Sequence, residues 1–168
     1  MGIRYYAYAF DPHMTERALA DPRSILSDDP LADAWGLKPH AMGSAATFTQ
    51  AVPERDMLYL DKAWGYLQAL TAERDGSGAV RAAHRMFEGE VTMRDWGWDP
   101  WVRVLVPEEI PLIARDLRQI DDARVTEVAR PSADLDEEVA YVKQYLDRAR
   151  VFTAQLAEDS RGMVYMIG

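Results

Sequence analysis

Hydrophobic and polar residues alternate cleanly at the start of the chain. Ile3, Tyr5, Ala7 and Ala9 fall on one side, and Arg4, Tyr6, Tyr8 and Phe10 on the other. A period of two predicts a strand over 3–9, and aromatic residues on both sides predict cover on both faces. Asp11-Pro12 stops it. Short helices are expected over 15–20, 23–27 and 31–35, the last closed by Gly36. Residues 36–56, with Pro39, Gly43, Ser44 and Pro53, read as a long connection.

The middle of the chain changes to helical spacing. Leu60, Ala63, Trp64, Leu67 and Leu70 recur every three or four residues and predict a helix over 58–70. Asp61 falls in its first turn, where negative charge suits the helix dipole. Asp75-Gly76-Ser77-Gly78 reads as a turn and 79–87 as a further helix. Residues 102–106 alternate as a strand, and Pro107 suits the start of a helix carrying Ile110, Ile113, Ala114, Leu117 and Ile120.

The longest pattern is Leu135, Val139, Val142, Leu146, Ala149, Thr153 and Leu156, widened by Tyr145 and Phe152. It predicts a helix over 134–159 with Gly162 as its left-handed stop, then a closing strand over 163–167. The 4-3 spacing also suits a coiled-coil seam. Packing on the chain's own sheet is preferred, because a repeat of 3.6 residues gives that spacing by default. The expected fold class is α+β: a single domain over 1–168 with a small mixed β-sheet, packed by several helices including a long C-terminal helix.

Composition narrows the function classes. The net charge of -9 is spread along the chain, so nucleic-acid binding, which needs clustered basic side chains, is disfavoured. No run of apolar residues approaches a membrane span or a signal peptide. With no cysteine there is neither a disulfide nor a thiolate metal site. The expectation is a soluble, cytoplasmic protein with no membrane or nucleic-acid partner; a homo-oligomer is left open.

Candidate chemistry is sparse. His13, His40 and His84 lack the spacing that sets two ligands on one helix face, and Asp28-Asp29 and Asp121-Asp122 lack a calcium loop, so no metal and no cofactor are expected. Ser44 and Ser77 sit beside glycines without the strand–helix elbow of a nucleophile. Asp61 and His84 are the weak catalytic candidates. Trp64, Tyr5, Tyr6 and Lys62 are the residues that would line a cleft with them. The bland alternative makes Trp64 a core anchor whose indole N–H meets a backbone carbonyl, and Lys62 a surface stem. Trp96 and Trp98, in a run that ends at Trp101, are candidates for a contact surface or for a cap on one end of the sheet.

Three blocks carry a family likeness: Met1-Gly2-Ile3-Arg4-Tyr5-Tyr6-Ala7-Tyr8, the central Leu60-Asp61-Lys62-Ala63-Trp64, and a distributed third comprising Pro107-Glu108-Glu109-Ile110, a long helix ending at Gly162 and Met163-Val164-Tyr165-Met166-Ile167. Together they resemble the YfbM-like bacterial proteins, a family of small domains of unknown function. The resemblance implies two histidines after the tryptophan, where this chain has Gly65 and Gln68, which weakens a catalytic role for that helix. The favoured expectation is a bacterial, non-catalytic protein-binding or regulatory module. Its partner would be basic, and neutralisation of that partner in the manner of an immunity protein is one form. The alternative is a small-molecule-binding protein or small enzyme with a cleft near Asp61 and Trp64.

Overall fold

The computed structural model describes residues 2–37, 47–72 and 77–168. Strand β1 (Tyr5–Phe10) is central, as its two apolar faces require. It pairs with β2 (Met57–Asp61) on one side and with β6 (Gly162–Ile167) on the other, and β5 (Trp101–Leu105) adds to β6. The order is therefore β2-β1-β6-β5, and all three pairings are antiparallel, a more uniform sheet than the mixed one expected. The α+β class and the long C-terminal helix are as the pattern implies.

One face of the sheet carries Tyr5, Ala7, Leu58, Leu60, Met163 and Tyr165 into the main core. Helices α3 (Trp64–Thr71), α4 (Ile110–Leu117), α5 (Asp122–Ala129) and α6 (Leu135–Glu158) cover it. Val142, Leu146, Ala149, Phe152 and Leu156 of α6 are all buried there, so the apolar stripe packs on its own sheet and not in a coiled-coil seam. Removing Val142, Leu146, Phe152 or Leu156 from water is worth about 1.5–3 kcal/mol each. Asp134 starts α6 by accepting from the Glu137 N–H, and Asp121 starts α5 in the same way through the Arg124 N–H. The opposite face holds Tyr6, Tyr8, Met57 and Tyr59 under α2 (Pro30–Trp35), with Phe10 and Val164 over Ala18 of α1 (Thr15–Ala20).

Several expectations are corrected. The helix over 58–70 is two elements: Met57–Asp61 is a strand, and the helix starts only at Trp64. Met57, Leu58, Tyr59 and Leu60 are consecutive buried residues, the mark of a strand covered on both faces. Leu60 falls at helical spacing from Ala63 by coincidence. Asp61 has φ 47° and turns the chain out of the strand; it is not in a helix first turn. Residues 79–87 contain a 3-10 turn over Ala82–Met86 in place of an α-helix, and the expected 23–27 helix is a 3-10 turn over Pro22–Ser24. Pro107 lies in a turn ahead of α4, whose first residue is Ile110.

Gly162 does not stop α6. Ser160 takes the left-handed conformation at φ 54°, and Gly162 opens β6. Its lack of a side chain serves packing: an added Cβ would press into the Phe10 ring and lie 2.7 Å from the Leu105 carbonyl oxygen. The tryptophan run is not a loop but a small hairpin, β3 (Thr92–Arg94) paired with β4 (Gly97–Asp99), leading into β5. Among the described residues no helix is long and apolar enough to cross a membrane. His40, Gly43, Ser44, Asp75 and Gly76 lie outside the described residues.

Candidate functional site: the cleft at the β2 edge

Asp61 ends β2 with its carboxylate held by three donors. Arg4 Nε lies 3.0 Å and the Tyr59 hydroxyl 2.9 Å from Oδ1, and the Tyr141 hydroxyl donates to Oδ2 at 3.3 Å. Tyr59 in turn accepts from Trp35 Nε1 at 3.1 Å, and the Arg4 guanidinium sits 5.2 Å from the Trp35 ring centre. Arg4, just ahead of β1, Tyr59 of β2 and Tyr141 of α6 thus meet on one carboxylate, with Trp35 of α2 one hydrogen bond further out. Tyr6 stacks behind Tyr59 at 5.4 Å, and Tyr141 meets Tyr145 edge-on at 5.0 Å, one helical turn apart on α6.

These phenols stay protonated far above neutrality. Burial first, then the hydrogen bond to Asp61 and its charge, push Tyr59 well up from the ordinary tyrosine value. Burial and then Asp61 push Tyr141 well up too, and the same two causes raise Tyr145. Tyr59 and Tyr141 therefore act as hydroxyl donors to Asp61. Oδ1 of Asp61 accepts two hydrogen bonds and Oδ2 one, so the carboxylate organises its neighbours.

Beside this cluster lies a cavity of about 480 Å³, lined by Trp35, Phe48, Glu54, Tyr59, Asp61, Tyr145 and Arg148 among others. A more apolar cavity of about 340 Å³ continues past it, with Met57, Leu58, Val151 and Phe152 in its wall. Gln50, Glu54, Tyr59 and Arg148 line both. Together they form a cleft along the outer edge of β2, between α6 and the 47–54 segment.

The candidates named from sequence are scattered. Asp61 is in the cleft wall, and Tyr6 supports it from behind. Tyr5 is fully buried elsewhere, stacked on Tyr165 at 5.2 Å and donating to the Met86 carbonyl at 2.9 Å. Trp64 packs against the main core, and its indole N–H meets the Ile3 carbonyl at 3.3 Å. Lys62 is exposed, its stem passing Gly2. His84 lies 3.1 Å from the Thr71 hydroxyl, and no contact joins it to Asp61; burial lowers its pKa below the usual histidine value. Gln68 bridges the Phe87 and Gly89 carbonyls, at 2.7 and 3.1 Å, a purely structural use of that position. Arg4, Tyr59, Tyr141, Tyr145 and Arg148 are site residues that the sequence patterns did not single out. The spacing of Tyr141 and Tyr145 on the long helix was the available signal.

A second surface stands apart. At the tip of the β3–β4 hairpin the Trp96 side chain is fully exposed, and Met93 and Trp98 are exposed beside it. Arg94 and Asp99 pair across the strands.

Among the described residues no group of three or more His, Cys, Asp or Glu side chains is placed to hold a metal ion. No family model matches the chain, and no curated protein matches it. The chain is similar in structure to YfbM. That match is to the crystal structure of a protein of unknown function, YfbM from Escherichia coli, with 16% sequence identity and a TM-score of 0.49. It covers 99% of this chain and 100% of that one. YfbM gives its name to the family the sequence resembles.

Proposed function

We propose that this chain is a non-catalytic protein-binding module that docks through the β3–β4 hairpin onto a basic partner. The observation that carries this is the fully exposed Trp96 indole at the hairpin tip, flanked by exposed Met93 and Trp98. Tryptophan and methionine are enriched where interfaces bury their energetic centre, and a tryptophan left wholly in water contributes nothing to its own fold. Asp95 is exposed at the same tip, Glu90 is exposed ahead of β3, and the net charge is -9. Both favour a positively charged face on the other side, where opposite fields speed encounter.

The test compares native protein with the Trp96→Ala/Trp98→Ala double variant, each immobilised, at low and moderate salt. A basic protein captured by the native hairpin, weakened by salt and lost with the double variant is the expected result. Capture that ignores both salt and the double variant would place docking on another face.

A further inference from the structure

The edge of β2 carries a second site, and its geometry selects a ligand. Ala9 N–H bonds the Asp56 carbonyl at 2.9 Å, which fixes the alternation along the ladder. Leu58 turns its backbone groups toward β1, while Met57 and Tyr59 turn theirs outward. Met57 is already satisfied: its N–H bonds the Pro53 carbonyl at 3.1 Å, and its carbonyl accepts from Gln50 Nε2 at 3.0 Å. Asp61 then swings the chain out of the strand at φ 47°. Along β2 only Tyr59 therefore turns both its N–H and its C=O toward the cleft, and outside the β1–β2 ladder neither has a partner among the described residues. One residue's worth of sheet edge cannot seat an extended peptide strand. It can seat one amino-acid unit.

The charges beside it are complementary to such a unit. Arg148 and Glu54 line both halves of the cleft, and among the described residues neither makes an ion pair with the other or with any other side chain. Arg148 is positioned instead over the Tyr145 ring, 5.3 Å from its centre. Every other charge in the walls is engaged: Asp61 by Arg4, and Asp147 by Arg150 at 2.9 Å. An exposed, unpaired cation and an exposed, unpaired anion lining the same cleft as one backbone N–H and C=O supply the groups that complement a zwitterion. Beyond them the wall becomes apolar at Met57, Val151 and Phe152. The volumes of the two halves suit a small ligand.

We propose that this cleft binds a free α-amino acid with an apolar side chain. Its carboxylate lies against Arg148 and the Tyr59 N–H, and its ammonium against Glu54 and the Tyr59 carbonyl. The side chain enters the apolar half, and Tyr59 and Tyr145 form the aromatic walls. This site is separate from the hairpin, so either function can fail without the other.

The experiment is calorimetric titration with L-leucine and L-phenylalanine, alongside the Tyr59 amide resonance in NMR spectra. The expected result is saturable binding with Kd below about 1 mM and a shifted Tyr59 amide. Leucine amide and N-acetylleucine, each missing one charge, should bind at least about tenfold more weakly, as should glycine, which lacks the side chain. Arg148→Gln and Glu54→Gln should each cost about tenfold or more for L-leucine, while urea denaturation stays that of the native protein. No saturable binding up to about 10 mM would overturn the proposal. So would affinity for uncharged N-acetylleucine amide equal to that for leucine, affinity indifferent to both variants, or a preference for leucine dipeptides over the free amino acid.

Discussion

Replacing Asp61 tests whether one carboxylate ties β1, β2 and α6 together. Arg4 and Asp61 are partly buried, with side-chain exposures of 13% and 28%. An exposed ion pair is worth about 0–1 kcal/mol, and breaking a fully buried one costs about 3–5 kcal/mol. This pair lies between those limits and carries two further hydrogen bonds, from Tyr59 and Tyr141. Asparagine keeps the shape and accepts the left-handed backbone, so Asp61→Asn removes the charge and one acceptor and little else. The expected loss is about 2 kcal/mol. Asp61→Ala removes every acceptor and also places a less tolerant residue at φ 47°, which adds about 1 kcal/mol. Its expected loss is about 3–4 kcal/mol. Asp61→Gly, free of the backbone term, should fall below alanine by that difference.

Urea denaturation measures all three as shifts in midpoint at constant slope. The pairing itself is isolated by a double-mutant cycle between Asp61→Asn and Arg4→Met, for which a coupling of about 1 kcal/mol or more is expected. If Asp61→Asn and Asp61→Ala each lost under about 0.5 kcal/mol, the carboxylate would be an ordinary surface group and the hub would not exist. If the losses appeared but the coupling were zero, Tyr59 and Tyr141 would hold Asp61 without Arg4.

Two further outcomes follow from the same structure. Gly162→Ala should destabilise by about 2–3 kcal/mol, because the new Cβ meets the Phe10 ring and the Leu105 carbonyl, whereas Ser160→Gly should stabilise by about 0.5–1 kcal/mol by relieving φ 54°; thermal denaturation of both variants in the reverse order would return the helix stop to Gly162. Folding stability should also fall at alkaline pH. Tyr5, Tyr59, Tyr141 and Tyr165 are all raised, Tyr165 to about 12, from an ordinary value of 10.0, chiefly by burial. The unfolded chain then releases protons that the folded chain keeps, so their contribution is complete below pH about 10 and is lost as pH rises toward about 12 and beyond. Denaturation measured across that range against tyrosinate absorbance checks it, and a flat stability would contradict it.

Where the chain has one clear period and one partner surface, its structure was legible. Strand β1, helix α6 and strand β6 are found where alternation and the 4-3 stripe place them. The failure at 58–70 has a specific cause. A strand buried on both faces has no alternation to show, so Met57-Leu58-Tyr59-Leu60 offered only an apolar run next to a true helix. The hairpin was missed for the opposite reason. Its strands are three residues each and mostly exposed, so little burial pattern marks them. Gly162 shows that a glycine after a helix does not establish its own role: close approach of Phe10 and a left-handed stop both call for glycine there, and only packing distinguishes them.

The candidate site was legible only in part, because its residues come from segments far apart in sequence and no single segment carries its chemistry. Asp61 stood out as a helix-start charge, but its importance comes from Arg4, 57 residues away, and Tyr141, 80 residues away. Tyr145 could be read as part of an apolar stripe, and its ring does flank the core. The same ring also lines the cavity and sits under Arg148. An amphipathic side chain can serve the core with its ring while its hydroxyl and its neighbours serve a site. Periodicity records only the first of these uses. The second depends on β2 being an edge strand, which follows from topology. Had β2 been an interior strand, a neighbouring strand would have taken the outward Tyr59 N–H and C=O, and the cleft would be filled. Among the described residues no strand covers that edge beside Arg148 and Glu54, and the proposed ligand site rests on that.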